Sequence, residues 1–134
     1  MYVNKAFLDV YFDGFDNDED EETELYEGLD VNNEAAMKQL IAGVLLPAFA
    51  TNPEEYKALA KRTLSYYLTT GRADLEDVFD SVMPPIDMPA DIKALFVWVW
   101  QVFYGDEDYQ MADWQKCKEQ TDYNEPLAML IRHK

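Results

Sequence analysis

Ten of the eleven residues from Ala94 to Tyr104 are apolar, with Gln101 the only polar one, so any fold this chain adopts must bury that element. The run is too short to cross a bilayer, which takes ~20 apolar residues. The other long apolar run, Leu40–Ala50, is broken by Gly43 and Pro47. The residues of Ala94–Tyr104 are rich in β-formers, and periodicity alone does not separate a buried helix from a buried strand. Punctuation decides for helix, because the fifteen residues between Pro89 and Gly105 are long for a strand.

The other elements carry local signals. Phe7, Leu8, Tyr11, Phe12 and Phe15 share one helical face and predict a first helix near 3–15. An acidic loop over about 16–30 follows, with helix regained around Glu22–Gly28. Asn32 or Asn33 caps a second helix with a stripe of Met37, Leu40, Ile41, Val44 and Leu45, which Pro47 ends or kinks. Asn52-Pro53-Glu54-Glu55 reads as an N-cap, a first-turn proline and a capping box closed by Glu55, opening a helix that Gly71 stops. Asp74 caps a short helix ended by Pro84-Pro85, and the next opens after Asp87 with Pro89 in its first turn. Asp106 is expected to cap a helix containing Tyr109, Ala112, Trp114 and Cys117. A last short helix over Pro126–Arg132 is expected to pack Leu127, Leu130 and Ile131. The fold class is all-α: one domain over 1–134, a bundle of five to seven helices around a buried apolar helix near 89–104.

Charge is distributed unevenly. Eleven of the first thirty residues are Asp or Glu against a single Lys5, giving that segment −10 of the chain's total of −16. A block of like charges is either an idle solvated loop or a surface made for a basic partner. Direct nucleic-acid binding is disfavoured, since the duplex is itself polyanionic and the eleven basic residues form no patch. The N-terminus has acids at Asp9 and Asp13 where a signal peptide needs an unbroken apolar stretch, so a soluble, unexported, cytoplasmic chain with no membrane partner is expected.

Catalytic equipment is sparse. His133 is the only histidine and lies beside the end of the sequence, the serines are Ser65 and Ser81, and no nucleophile elbow, phosphate loop or zinc-binding helix motif occurs. Asp77 and Asp80 share a helical face with Glu76 four residues before Asp80, a pattern ordinary for a solvated outer face. Cys117 is the sole cysteine, which excludes an internal disulfide. Its reading is a half-buried structural residue. No enzyme activity, cofactor or metal is expected.

The candidate partner-binding residues are the two places where acids sit beside aromatics. The first comprises Tyr11, Phe15, Asp16, Asp18, Glu19, Asp20, Glu21, Glu22, Glu24, Tyr26 and Glu27; the second comprises Asp106, Glu107, Asp108 and Tyr109. Tyrosine and tryptophan among carboxylates suit an interface with an aromatic anchor and a charged rim. In size, acidity and lack of catalytic residues the chain resembles the small inhibitor or immunity proteins that neutralise nuclease toxins, a likeness of composition that covers no motif. It implies an acidic face that covers a basic active-site cleft. Two other readings share the charge: a nucleic-acid mimic that blocks a restriction or CRISPR-type complex, and an acidic secretion chaperone.

A partial calcium pattern competes for the first cluster. Asp16, Asp18, Asp20, Glu24 and Glu27 fall at positions 1, 3, 5, 9 and 12 of a twelve-residue loop, but Glu21 stands where the sharp turn takes glycine, and Thr23 where a paired loop needs an apolar residue. Calorimetric titration with Ca²⁺ at ordinary salt is therefore expected to give only weak screening by many carboxylates. A one-to-one transition of micromolar affinity, abolished by Glu27→Gln, would reassign these acids as ligands.

Overall fold

The N-terminal segment that the periodicity reads as an α-helix is a short strand, β1 (Tyr2–Asn4), followed by a 3₁₀ helix over Lys5–Asn17. The computed structural model describes residues 1–17 and 28–132. The 3₁₀ helix is unusually long for its type, and it eclipses residues three apart. Phe12 and Phe15 accordingly stack with their rings 9° from parallel. Ala6, Phe7, Leu8, Val10, Tyr11, Phe12, Gly14 and Phe15 are all buried, so the helix is covered on nearly every side over residues 5–15, and within that span Asp13 alone is exposed. It runs through the middle of the molecule, the place that the sequence assigns to the 89–104 element.

Around it are wrapped α1 (Glu34–Leu40), a π-helical turn (Ile41–Leu45), α2 (Leu46–Ala50), α3 (Glu54–Thr70), α4 (Leu75–Ser81), α5 (Ile92–Tyr104) and α6 (Glu125–Arg132). A strand, β2 (Lys118–Gln120), pairs in parallel with β1 in the register Tyr2↔Lys118. The protein is thus mostly helical, as expected, with six α-helices among the described residues and one small sheet. No helix among them is long and apolar enough to cross a membrane.

Several helix ends are where the local chemistry puts them. The Asn33 side chain accepts from Ala36 N–H, the Asp74 side chain accepts from Asp77 N–H, and Gly71 closes α3 in the left-handed conformation at φ 68°. Three starts or continuations differ. Pro53, not Asn52, occupies the N-cap of α3, leaving no side-chain cap and placing Glu55 one position short of a capping box. Asp91 caps α5 through Ala94 N–H, so Pro89 precedes the helix. Pro47 does not end the second helix: the turn before it widens, with Leu46 N–H reaching back to Ile41 C=O, and α2 continues.

Two further expectations are corrected. The α5 helix buries Leu95, Phe96, Val99 and Trp100 on one side but exposes Lys93 and Gln101, so it is a layer against the core, not its centre. In α6 the buried residue is Met129, while Leu127 and Ile131 are exposed. The core itself is dominated by aromatic contacts on the 3₁₀ helix: Tyr11 with Phe49 at 4.9 Å between ring centroids, Tyr11 with Phe103 at 5.2 Å, Phe12 with Phe96 at 5.4 Å and Phe7 with Tyr56 at 5.1 Å. Each such pair adds about 0.5–1.5 kcal/mol beyond area burial.

Gly14 is the tightest point of this packing. A Cβ there would lie 2.3 Å from the Val44 carbonyl oxygen and 3.0 Å from Leu45 Cα, both backbone atoms that cannot swing aside. Gly14→Ala is expected to cost about 3 kcal/mol of stability through overpacking. Gly71→Ala meets no atom within 4 Å and bears only its left-handed backbone, at about 1–2 kcal/mol. Urea unfolding midpoints of the two variants should fall in that order.

Candidate functional site

Gly105 ends α5 with φ 67°, and the chain then runs to Asp113 without the helix that Asp106 was expected to cap. The reason is that side chains of neighbouring helices satisfy the loop's backbone. Trp100 Nε1–H donates to Glu107 C=O, Ser65 Oγ–H donates to Tyr109 C=O, and Thr69 Oγ1 accepts from Met111 N–H at 3.0 Å. Asp108 folds its own carboxylate onto Gln110 N–H at 2.9 Å. With its polar backbone fastened to α3 and α5, the loop turns its acidic side chains outward.

Asp106, Glu107 and Asp108 are consequently all exposed, and Tyr109 is half-buried against the core. Glu107 Oε2 lies 2.7 Å from Lys61 Nζ. The three carboxylates line an open cleft of about 670 Å³ together with Lys38, Trp100 and Gln101. Lys38, Lys61, Trp100 and Gln101 were not among the sequence candidates. Only their position beside the acidic triplet in space recommends them, although Gln101 was visible as the lone polar residue of its run.

The first cluster fares differently. Tyr11 is fully buried, its hydroxyl 2.8 Å from the Tyr104 hydroxyl, and Phe15 is buried in the same core; neither is available to a partner. Both rings serve the centre of the fold because the 3₁₀ helix is enclosed by α2, α3 and α5. Asp16 lies near the end of that helix, and Asp18, Glu19, Asp20, Glu21, Glu22, Glu24, Tyr26 and Glu27 lie outside the described residues. Of the described candidates, the structure brings Asp106, Glu107, Asp108 and Tyr109 together at one surface.

The buried tyrosines are not proton carriers at neutral pH. Burial raises Tyr104 to about 12, with the hydrogen bond from Tyr11 opposing and the Glu107 charge adding to it, and burial also raises Tyr11 well above its ordinary value. A second polar group acts as a fastener. Glu119 on β2 accepts from the hydroxyls of Tyr66 and Tyr67 at 2.9 and 3.0 Å and pairs with Arg72, which lies over the Trp114 ring. Burial pulls the Glu119 carboxyl upward, yet these three donors hold it below its usual value. Glu125 does the same work for α6, accepting from Tyr2 Oη and Asn4 Nδ2 at 2.6 and 2.8 Å. Cys117 is half-buried with its sulfur 3.6 Å from that of Met111, and burial together with Asp113 raises its thiol against the opposing pull of Arg62 and the N-terminal ammonium, so the balance disfavours the thiolate.

Asp77 and Asp80, the carboxylates considered for paired chemistry, are both exposed, and Asp77 shares a cavity with Asp9. Asp9, Asp77, Lys5 and Ser81 line a cavity of about 240 Å³, below the ~300–1,000 Å³ of ordinary ligand pockets. Among the described residues no group of three or more His, Cys, Asp or Glu side chains is placed to hold a metal ion. Comparison with protein-family models, with curated proteins and with solved structures returned no match.

Asp9 gives this region a measurable pH signature. Burial raises its carboxyl to about 6, helped by the Asp77 charge and opposed by Lys5. Because the folded value lies above the unfolded one, its contribution to stability is full only below the unfolded value and is lost as pH rises through about 6. Asp9→Asn should therefore stabilise the protein at pH 7.5 by up to about 1 kcal/mol, a figure reduced for solvent screening of a half-buried group. The gain should disappear near pH 4, and denaturant titrations at the two pH values check it.

Proposed function

We propose that this chain is a non-enzymatic, cytoplasmic acidic binding protein: an inhibitor of the immunity type that neutralises a basic partner such as a nuclease toxin by covering its nucleic-acid-binding cleft. The observation that carries this reading is the braced presentation of Asp106, Glu107 and Asp108, three exposed carboxylates on a loop whose backbone is bonded to Ser65, Thr69 and Trp100. A loop already held in one conformation loses little entropy on binding, so its charges act on a partner without a folding cost. Carboxylates spaced along a surface match a cleft built for phosphates, and they chiefly raise the association rate and reject wrong partners. The chain's net charge of −16 extends the same field beyond this loop.

The test is a binding experiment with the basic proteins encoded beside this chain's gene, read as complex formation and as protection of a nucleic-acid substrate from cleavage. A stoichiometric complex that stops cleavage is expected, with an association rate that falls as salt rises. Replacing Asp106 and Asp108 by Asn should slow association about 3–10-fold while changing dissociation less than about 2-fold. Unchanged association would remove the loop from the interface. A complex only with a defence nuclease of foreign origin would instead favour the nucleic-acid mimic, and binding only to unfolded clients would favour the chaperone.

A further inference from the structure

Beside the acidic loop lies an apolar groove of about 420 Å³, floored by Leu46, Phe49, Phe103 and Tyr104, with Ala50 and Ala58 along its edges. Its volume is in the range in which protein pockets accept a whole ligand group. The floor is preorganised, because the Phe49 and Phe103 rings already touch each other at 5.0 Å and both touch Tyr11 beneath them. The groove stays open because Ala50 and Ala58, both exposed, present only methyl groups.

Its rim is charged but balanced. Lys57 pairs with Glu54 at 2.8 Å and Lys61 pairs with Glu107 at 2.7 Å, so two lysines are offset by two carboxylates. The Lys61 ammonium also sits 5.0 Å from the Tyr104 ring centroid. A neutralised rim over an aromatic floor suits an uncharged ring better than a lone anion or cation. The groove is also continuous with the acidic surface. Ala58 and Lys61 border a neighbouring hollow together with Trp100, Glu107 and Asp108, and Glu107 also lines the larger cleft.

We infer that this groove holds an aromatic side chain of the basic partner, whose flanking arginines or lysines face Asp106 and Asp108. The inference rests on the binding function proposed above and adds its anchor. Charge complementarity selects the occupant: a segment that lays a ring in the groove carries its neighbours onto exposed carboxylates. In such an interface the acids govern the rate of encounter, and the seated ring governs how long the complex lasts.

The probe is a five-residue peptide with a central tryptophan between two pairs of arginines, compared with the same peptide centred on alanine, on the intact chain. Nuclear magnetic resonance titration should show the tryptophan peptide shifting the Ala50 and Ala58 signals and binding about 5-fold tighter than the alanine peptide, the effect of one aromatic contact. Ala58→Trp fills the groove from an exposed position and should abolish that 5-fold difference. Equal affinities on the native chain, or a difference that survives Ala58→Trp, overturn the anchor but leave the acidic surface standing if both peptides bind in a salt-dependent way. Binding of neither peptide overturns both readings. Decanoate shifting Ala58 where the tryptophan peptide does not would assign the groove to an amphipathic anion and overturn the anchor.

Discussion

A helix buried on nearly all sides leaves its neighbours almost no latitude, and the 3₁₀ helix Lys5–Asn17 imposes that condition on this fold. At Gly14 it approaches the Val44 carbonyl so closely that no side chain fits between, and the backbone it meets is the widened turn ahead of Pro47. At Tyr11 it carries a hydroxyl into the core, where an unbonded polar group would cost about 1–3 kcal/mol. The Tyr104 hydroxyl meets that demand at 2.8 Å. The requirement fixes the last turn of α5, and with it the point at which Gly105 releases the chain towards the acidic loop. The placement of Asp106, Glu107 and Asp108 is therefore traceable to a polar atom in the middle of the core.

The loop itself depends on a second division of labour. A segment without regular structure must place its backbone N–H and C=O groups somewhere, and α3 supplies partners from Ser65 and Thr69 while α5 supplies the Trp100 indole. These residues lie on helices whose own positions are set by aromatic packing, so the loop acquires order without a helix or sheet of its own. That is a sound way to hold carboxylates outward. A helix over 106–117 would have turned part of the triplet and Tyr109 to different faces.

The parts of the fold written in local chemistry were legible. Asn33, Asp74, Gly71 and Gly105 mark helix ends by groups that act within a turn of themselves, and the helix over Ala94–Tyr104 was recoverable from its length between Pro89 and Gly105. What depends on distant partners was not. The sequence of Asp106–Cys117 is compatible with a helix until Ser65, Thr69 and Trp100 compete for its backbone. The spacing of Phe7, Leu8, Tyr11, Phe12 and Phe15 describes one buried face, but burial of Ala6, Val10 and Gly14 as well follows only from the elements that close around them. The same blindness made Tyr11 and Phe15 look like interface residues, because a ring beside acids reads alike whether it points to a core or to a partner. Leu127 and Ile131 erred in the other direction, since α6 is fastened by Met129 and Glu125 and leaves them outside.

Acidic surface and aromatic core meet at Phe49, Phe103 and Tyr104, which belong to both the packed interior and the floor of the groove. This overlap has a physical consequence. Side chains locked by core contacts keep a fixed shape where they surface, so the groove inherits the rigidity of the interior, and a ring seated there displaces no ordered protein group. The exposed carboxylates contribute little to packing, and their field extends only about 8 Å through physiological salt. In the proposed interface they would act before contact and the groove after it. A net charge of −16 repels copies of the same chain and other polyanions, and under the proposed function a rigid apolar slot beside the charges is what would distinguish one basic surface from the rest.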